Sequence, residues 1–361
     1  MNKDELYLDS DFQVRLYKRI RRKELRSSAF FACFLMILSY LGAYGVLSAV
    51  EIATFFLPVK NLHAAQKSVE LLIYLGQLLL PVLVYILMTG KTLSDIFNVK
   101  TDSLDGNCTE KITLKNVAVY TVVAFTLSQI MSIFSSVFSS FISAVTSMFS
   151  ENLVLNPEAF AVDSAFTFAD FIYSVFALAV LPAILEELLF RGVLLSEFIK
   201  YGKSFAIVIS AFFFASVHGS IEQMMYSFVF GIIFGYVAVK TGSIAVGIIM
   251  HFINNFYSCI VDYFGNILGT ELYWNIIMTI NFCLIFLGLV MIIYMIAKSK
   301  IGYPERQDKD KGPGELTGAE TFSIFLSPVM LVYYGLVIFE TLNVAASSLT
   351  VRVAVLSAIV L

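Results

Sequence analysis

The chain is poor in the features that would tie it to disulfide, zinc-ribbon or nucleic-acid chemistry. Its four cysteines (Cys33, Cys108, Cys259 and Cys283) are scattered, with no CxxC and no paired spacing. That excludes a disulfide framework and a zinc ribbon. No excess of one charge is present: the net charge is −3 over 361 residues. No electrostatic case for nucleic acid follows, so no nucleic-acid partner is expected. The first 26 residues are polar, unlike the apolar opening of a cleaved signal peptide. No internal repeat is visible.

What the chain has instead is apolar length. Hydrophobic residues make up 58%, with 34 phenylalanines, and mean hydropathy is +0.83. Soluble domains lie nearer 45–50% apolar. The expectation is an all-α, polytopic transmembrane helix bundle with the lipid bilayer as its surroundings. A span needs about 17–25 apolar residues. Such segments lie near 28–58, 68–90, 114–146, 169–199, 204–221, 222–240, 243–262, 273–297 and 321–341, with a short, charged one near 344–361, giving about 8–10 spans. The expected organisation is a basic N-terminal segment (1–27), N-terminal spans (28–168) and a core (169–262). A further span (263–297), a polar linker (298–320) and a C-terminal hydrophobic region (321–361) follow.

Loop charge predicts the orientation. Lys18, Arg19, Arg21, Arg22, Lys23 and Arg26 precede the first apolar run and point to a cytoplasmic N-terminus, although a solvated tail fits equally well. The loops near 91–113, 200–203, 240–242 and 298–320 then fall inside and carry lysines and arginines. Those near 147–168, 221–222 and 262–272 fall outside and carry acidic residues but no Lys or Arg. Lys60 and Lys67 in the loop near 59–67 are the exception. The expected location is a multi-pass protein of the cell membrane, by inference a bacterial inner membrane.

Charged groups inside apolar runs carry the functional signal. Glu186, Glu187 and Arg191 lie within six residues of one another in a span. One charge at the centre of a membrane helix costs about 2.5–3.5 kcal/mol. Glu187 and Arg191 are four apart and share a helical face, so they can pair. Glu186 points about 100° away and stays available. A buried ion pair joining helices would explain one glutamate but not two. Pro182 is expected to kink the helix beside them. His218 follows a short turn at Tyr201, Gly202 and Lys203, and lies about as far beyond it as Glu186 lies before it, which matches their depths. A histidine at a helix end also has a purely structural reading. His251 and Asn255 are four apart on a third span. Imidazole and carboxamide aimed at one point can donate hydrogen bonds to an oxyanion, and interhelical hydrogen bonding is the alternative. Asn254 faces elsewhere and reads as structural. Gly231 and Gly235 form a small-xxx-small pattern that permits close helix approach.

Three motifs stand in order: Glu186-Glu187-Leu188-Leu189-Phe190-Arg191, then Phe214-Ala215-Ser216-Val217-His218, then His251-Phe252-Ile253-Asn254-Asn255. Together they resemble the CPBP (Abi) family of CAAX-processing and bacteriocin-processing intramembrane proteases, over roughly residues 170–262. The resemblance implies an intramembrane endopeptidase acting on a membrane-bound peptide or protein. Carried over by position, Glu186 activates water with help from His218. His251 and Asn255 stabilise the oxyanion, and Glu187 and Arg191 hold the geometry or Glu187 assists directly. In a bacterium the substrate would be a peptide pheromone, bacteriocin precursor or membrane regulator rather than a prenylated CAAX protein. Zinc is a candidate cofactor, with Glu187, His218 and His251 as candidate ligands, but no HExxH motif is present and a metal-free glutamate mechanism competes. The alternative function is a non-proteolytic membrane scaffold or bacteriocin-immunity protein of the same fold. A proton-coupled transporter would show matched halves, which are absent. The oligomeric state has no signal in the sequence.

Overall fold

A computed structural model describes residues 3–56, 62–99, 112–147, 167–297 and 316–341. All regular structure among them is helical, apart from one isolated bridge. In chain order the helices are α1 (Lys3–Phe56), α2 (62–89), α3 (Leu93–Phe97), α4 (Leu114–Ser147) and α5 (Phe168–Tyr201). They continue as α6 (Lys203–Ser216), α7 (Ile221–Thr241), α8 (Ala245–Leu268), α9 (Glu271–Ala297), α10 (Gly318–Leu326) and α11 (Pro328–Thr341).

Seven helices are long and apolar enough to cross a membrane, and the bent pair α10–α11 makes an eighth if counted as one span. The protein is thus a multi-pass helical bundle. Segment 204–221, expected as a span, is α6, with 14 residues. At 1.5 Å per residue it is about 21 Å long, short of a hydrocarbon core of about 30 Å. Ten of the 14 residues of α6 are buried. A helix apolar on all sides is a core helix or a membrane span; α6 is packed inside the bundle, reaches only part of the way across, and α7 returns from its end. Segment 321–341 is bent by 52°. A 3₁₀ turn at Ser323–Leu326, extended backbone at Ser327 and Pro328, which has no N–H, together break the helix there. Segment 344–361 lies outside the described residues. The basic segment expected as a separate tail is helical from Lys3 and continuous with the first span.

The centre of the bundle is built from α5, α6 and α7. Gly231 of α7 meets the backbone of α6: a Cβ there would lie 2.7 Å from the Ala211 Cα. This is the close approach expected from the small-residue pattern. The flanking helices are tied in by polar cross-links. Thr167 and Asp170 form a capping box at the start of α5, and Asp170 also pairs with Lys67 of α2. Val99 donates to the Gly242 carbonyl (3.0 Å) and Ile244 to the Phe97 carbonyl (3.2 Å), which clips α3 to the turn before α8. Gly242 makes that turn with φ +69°. At the end of α6, Tyr333 of α11 bonds the Ser216 hydroxyl (2.7 Å), and Tyr40 of α1 donates to the Ser216 carbonyl (2.9 Å).

Candidate active site

Helix α5 is not uniform. It passes through π-helical turns at Val175–Val180 and Glu187–Leu195, which flank the α-helical stretch Leu181–Glu186. Single π turns inside α-helices recur at functional sites. Pro182, where a kink is expected from the sequence, lies in the α-helical stretch between these two turns. Pro182 has no N–H to give the Leu178 carbonyl four residues upstream. Asn255 of α8 supplies one instead: its Nδ2 donates to the Leu178 oxygen at 2.9 Å. In the second π stretch, Ser210 of α6 donates to the Phe190 carbonyl at 2.6 Å.

The two glutamates diverge, as consecutive helical residues must. Glu187 is fully buried and its Oε1 accepts from Arg191 Nη1 at 2.8 Å. Arg191 is itself 0% exposed and lies between two rings, 4.3 Å from the Phe214 centroid and 5.3 Å from that of Phe234. Its Nη2 reaches towards the Gly231 carbonyl at 3.4 Å. The buried cation meets a carboxylate, a carbonyl and two π faces, while its Nε has no hydrogen-bond partner. Glu186 instead lines a cavity of about 360 Å³, shared with His218, His251, Asn254 and Asn255. Its Oε2 is buried and has no hydrogen-bond partner.

The histidines converge on this carboxylate. His251 stands between the two glutamates, with Nε2 3.8 Å from Glu186 Oε2 and Nδ1 3.4 Å from Glu187 Oε1. His218 Nδ1–H donates to the Phe214 carbonyl at 2.8 Å. In a neutral ring this leaves Nε2 as the basic nitrogen. Gly247, one turn before His251, makes room for Glu187: a Cβ there would lie 2.7 Å from Glu187 Oε2. All six sequence-predicted residues thus gather in one place, four on the cavity wall and the Glu187–Arg191 pair directly behind it. Asn254, read as structural, also lines the cavity, and its Nδ2 donates to Asn255 Oδ1 at 3.2 Å. Sequence reasoning missed the Phe214–Phe234 sandwich, Gly247, and the wall that α4 contributes through Ser128, Gln129 and Ser132. The last had a readable signal: polar residues three and four apart within an apolar span.

Of the candidate zinc ligands Glu187, His218 and His251, Glu187 gives its Oε1 to Arg191, and among the described residues no three His, Cys, Asp or Glu side chains gather as metal ligands. No step below is routed through a metal. What the arrangement offers is a carboxylate with an open oxygen, two imidazoles and an amide around a polar cavity within apolar helices, a set suited to proton transfer and oxyanion binding.

Comparison with known proteins adds to this geometry. No curated protein and no solved structure matches the chain. One family model does match, that of the Rce1-like type II CAAX prenyl endopeptidases, over residues 168–257. The matched stretch begins at the start of α5, ends within α8 and holds all three motifs. In this multi-pass helical protein, residues 168–257 are accordingly an Rce1-like segment, consistent with the CPBP family of intramembrane proteases.

Proposed function

We propose that the protein is an intramembrane endopeptidase that hydrolyses a peptide bond in a membrane-associated peptide or protein. The observation that carries this reading is Glu186: buried, with an open carboxylate oxygen, facing a polar cavity beside two histidines. Glu186 takes a proton from a water in the cavity as that water attacks the scissile carbonyl. His218 Nε2 orients the water and shares the proton. His251 donates from Nε2 to the developing oxyanion while Glu187 faces its Nδ1 and orients the ring. Arg191 holds Glu187 in place. One amide hydrogen of Asn255 goes to Leu178, and the second is available to the oxyanion. The proton held at Glu186 passes to the leaving amine.

The same reading sets the protein in a bacterial inner membrane with its N-terminus in the cytoplasm, supported by the basic residues of α1 and of the loops on that side. The test uses purified protein in liposomes with a library of membrane-anchored reporter peptides. Glu186→Ala and His218→Ala are each expected to lower cleavage by about 10²–10⁴-fold. Cleavage is expected to persist with a chelator present. Loss in chelator with recovery on added zinc would restore the metal route. No cleavage by folded wild type would move the assignment to a scaffold or immunity protein.

A further inference from the structure

The α4 wall of the cavity is chemically unlike the rest. Gln129 and Ser132 lie three apart, on one face of α4, and both line the cavity. Ser227 of α7 lines it too and is 1% exposed. Among the described residues, none hydrogen-bonds the side chain of Gln129, Ser132 or Ser227. Gln129 and Ser132 are half-buried; polar groups held away from bulk water are normally paired, and more strictly so in a membrane, where water is scarce. Unpaired amide and hydroxyl groups turned into one cavity therefore point to a ligand rich in donors and acceptors and without charge. Apart from Glu186 and the histidines the cavity wall holds no ionisable side chain except the Tyr74 and Tyr226 phenols, so no cation is present to receive a terminal carboxylate.

A membrane-embedded substrate offers that ligand. Its helix must unwind locally before a scissile carbonyl can be attacked, and unwinding strips its N–H and C=O groups of partners. A carboxamide can serve one N–H and one C=O of an extended chain at once. We propose that Gln129 and Ser132 of α4 bind the main chain of an unwound, extended stretch of the substrate across the cavity from Glu186. This rests on the hydrolytic reading above. Because α4 precedes residues 168–257, substrate holding would come from outside the Rce1-like segment and the chemistry from within it.

The experiment uses the reporter peptide cleaved fastest by the full chain, and a set in which single amides flanking the scissile bond are replaced by esters. Gln129→Leu is expected to raise KM about tenfold and leave kcat within about twofold, the pattern of lost uniform binding. Its melting temperature is expected to hold or rise, since an unpaired polar group has been removed. Ser132→Ala serves as the second variant should Gln129→Leu fail to fold. At one ester position wild type is expected to lose about tenfold while Gln129→Leu loses nothing further. Unchanged KM in both variants, or additive losses at every ester position, would overturn the proposal while leaving hydrolysis intact. Should wild type cleave nothing, photo-crosslinking from residue 129 in Glu186→Gln protein to the same peptide library decides separately. Crosslinks would retain the clamp without the hydrolase, and their absence would remove the clamp.

Discussion

Arg191 is a cation with no exposure at all, sandwiched between Phe214 and Phe234 and paired with Glu187. Removing one member of such a pair leaves the other charge buried alone, at about 3–5 kcal/mol. Arg191→Met and Glu187→Gln are each expected to destabilise the protein by about that much in detergent unfolding. The double variant is expected to recover part of the loss, because no uncompensated charge remains. Losses that simply add would show that the pair is not an energetic unit. The pair itself was legible in the sequence from its spacing of four, and Glu186, His218 and His251 from being ionisable in apolar runs. Phe214 and Phe234 were not legible as partners of Arg191. Phenylalanine occurs 34 times, so only the packing singles these two out.

At the scale of the element, α5 and α8 are locked by a defect in one answered by a side chain of the other. Pro182 leaves the Leu178 carbonyl short of a donor, and Asn255 provides it. Pro182→Ala restores an N–H that competes for that carbonyl. Its effect on kcat is therefore expected to be non-additive with that of Asn255→Ala, with a coupling of about 0.5–3 kcal/mol in a double-mutant cycle. Independent effects would mean that the Leu178 bond plays no part in placing Asn255. Gly247→Ala tests the fit of α8 against Glu187. With a Cβ 2.7 Å from Glu187 Oε2, kcat is expected to fall by about 10²-fold with the helices intact by circular dichroism. An unchanged kcat would show that Glu187 can shift without cost to the site. The sequence announced a perturbed helix at Pro182 but not its π turns, which depend on donors from other helices such as Ser210 and Asn255. It also made α6 look like a span, since a core helix and a membrane helix share one composition.

For the whole molecule, orientation is the property the loop charges predict and the fold alone leaves free. In a cysteine-free background, Thr270→Cys, in the turn between α8 and α9, is expected to react with an impermeant thiol reagent in intact cells. Lys203→Cys, in the turn between α5 and α6, is expected to react only after lysis. The reverse pattern would place the N-terminus outside. The number and order of spans were largely readable because apolar length is a property of the chain itself. The break in α10–α11 was not, because a single Pro328 within an apolar run gives no measure of a bend.

On the proposed hydrolytic function, the shortness of α6 bears on how water is supplied. Each turnover consumes one water, and bulk hydrocarbon holds almost none. A helix about 9 Å shorter than the hydrocarbon thickness ends at the half-buried His218–Gly219–Ser220 turn. His218, at the end of this short helix, lines the same cavity as Glu186. For the hydrolase proposed above, water would reach the carboxylate past the end of α6 while the peptide comes from the lipid, so that the two reactants arrive by different roads.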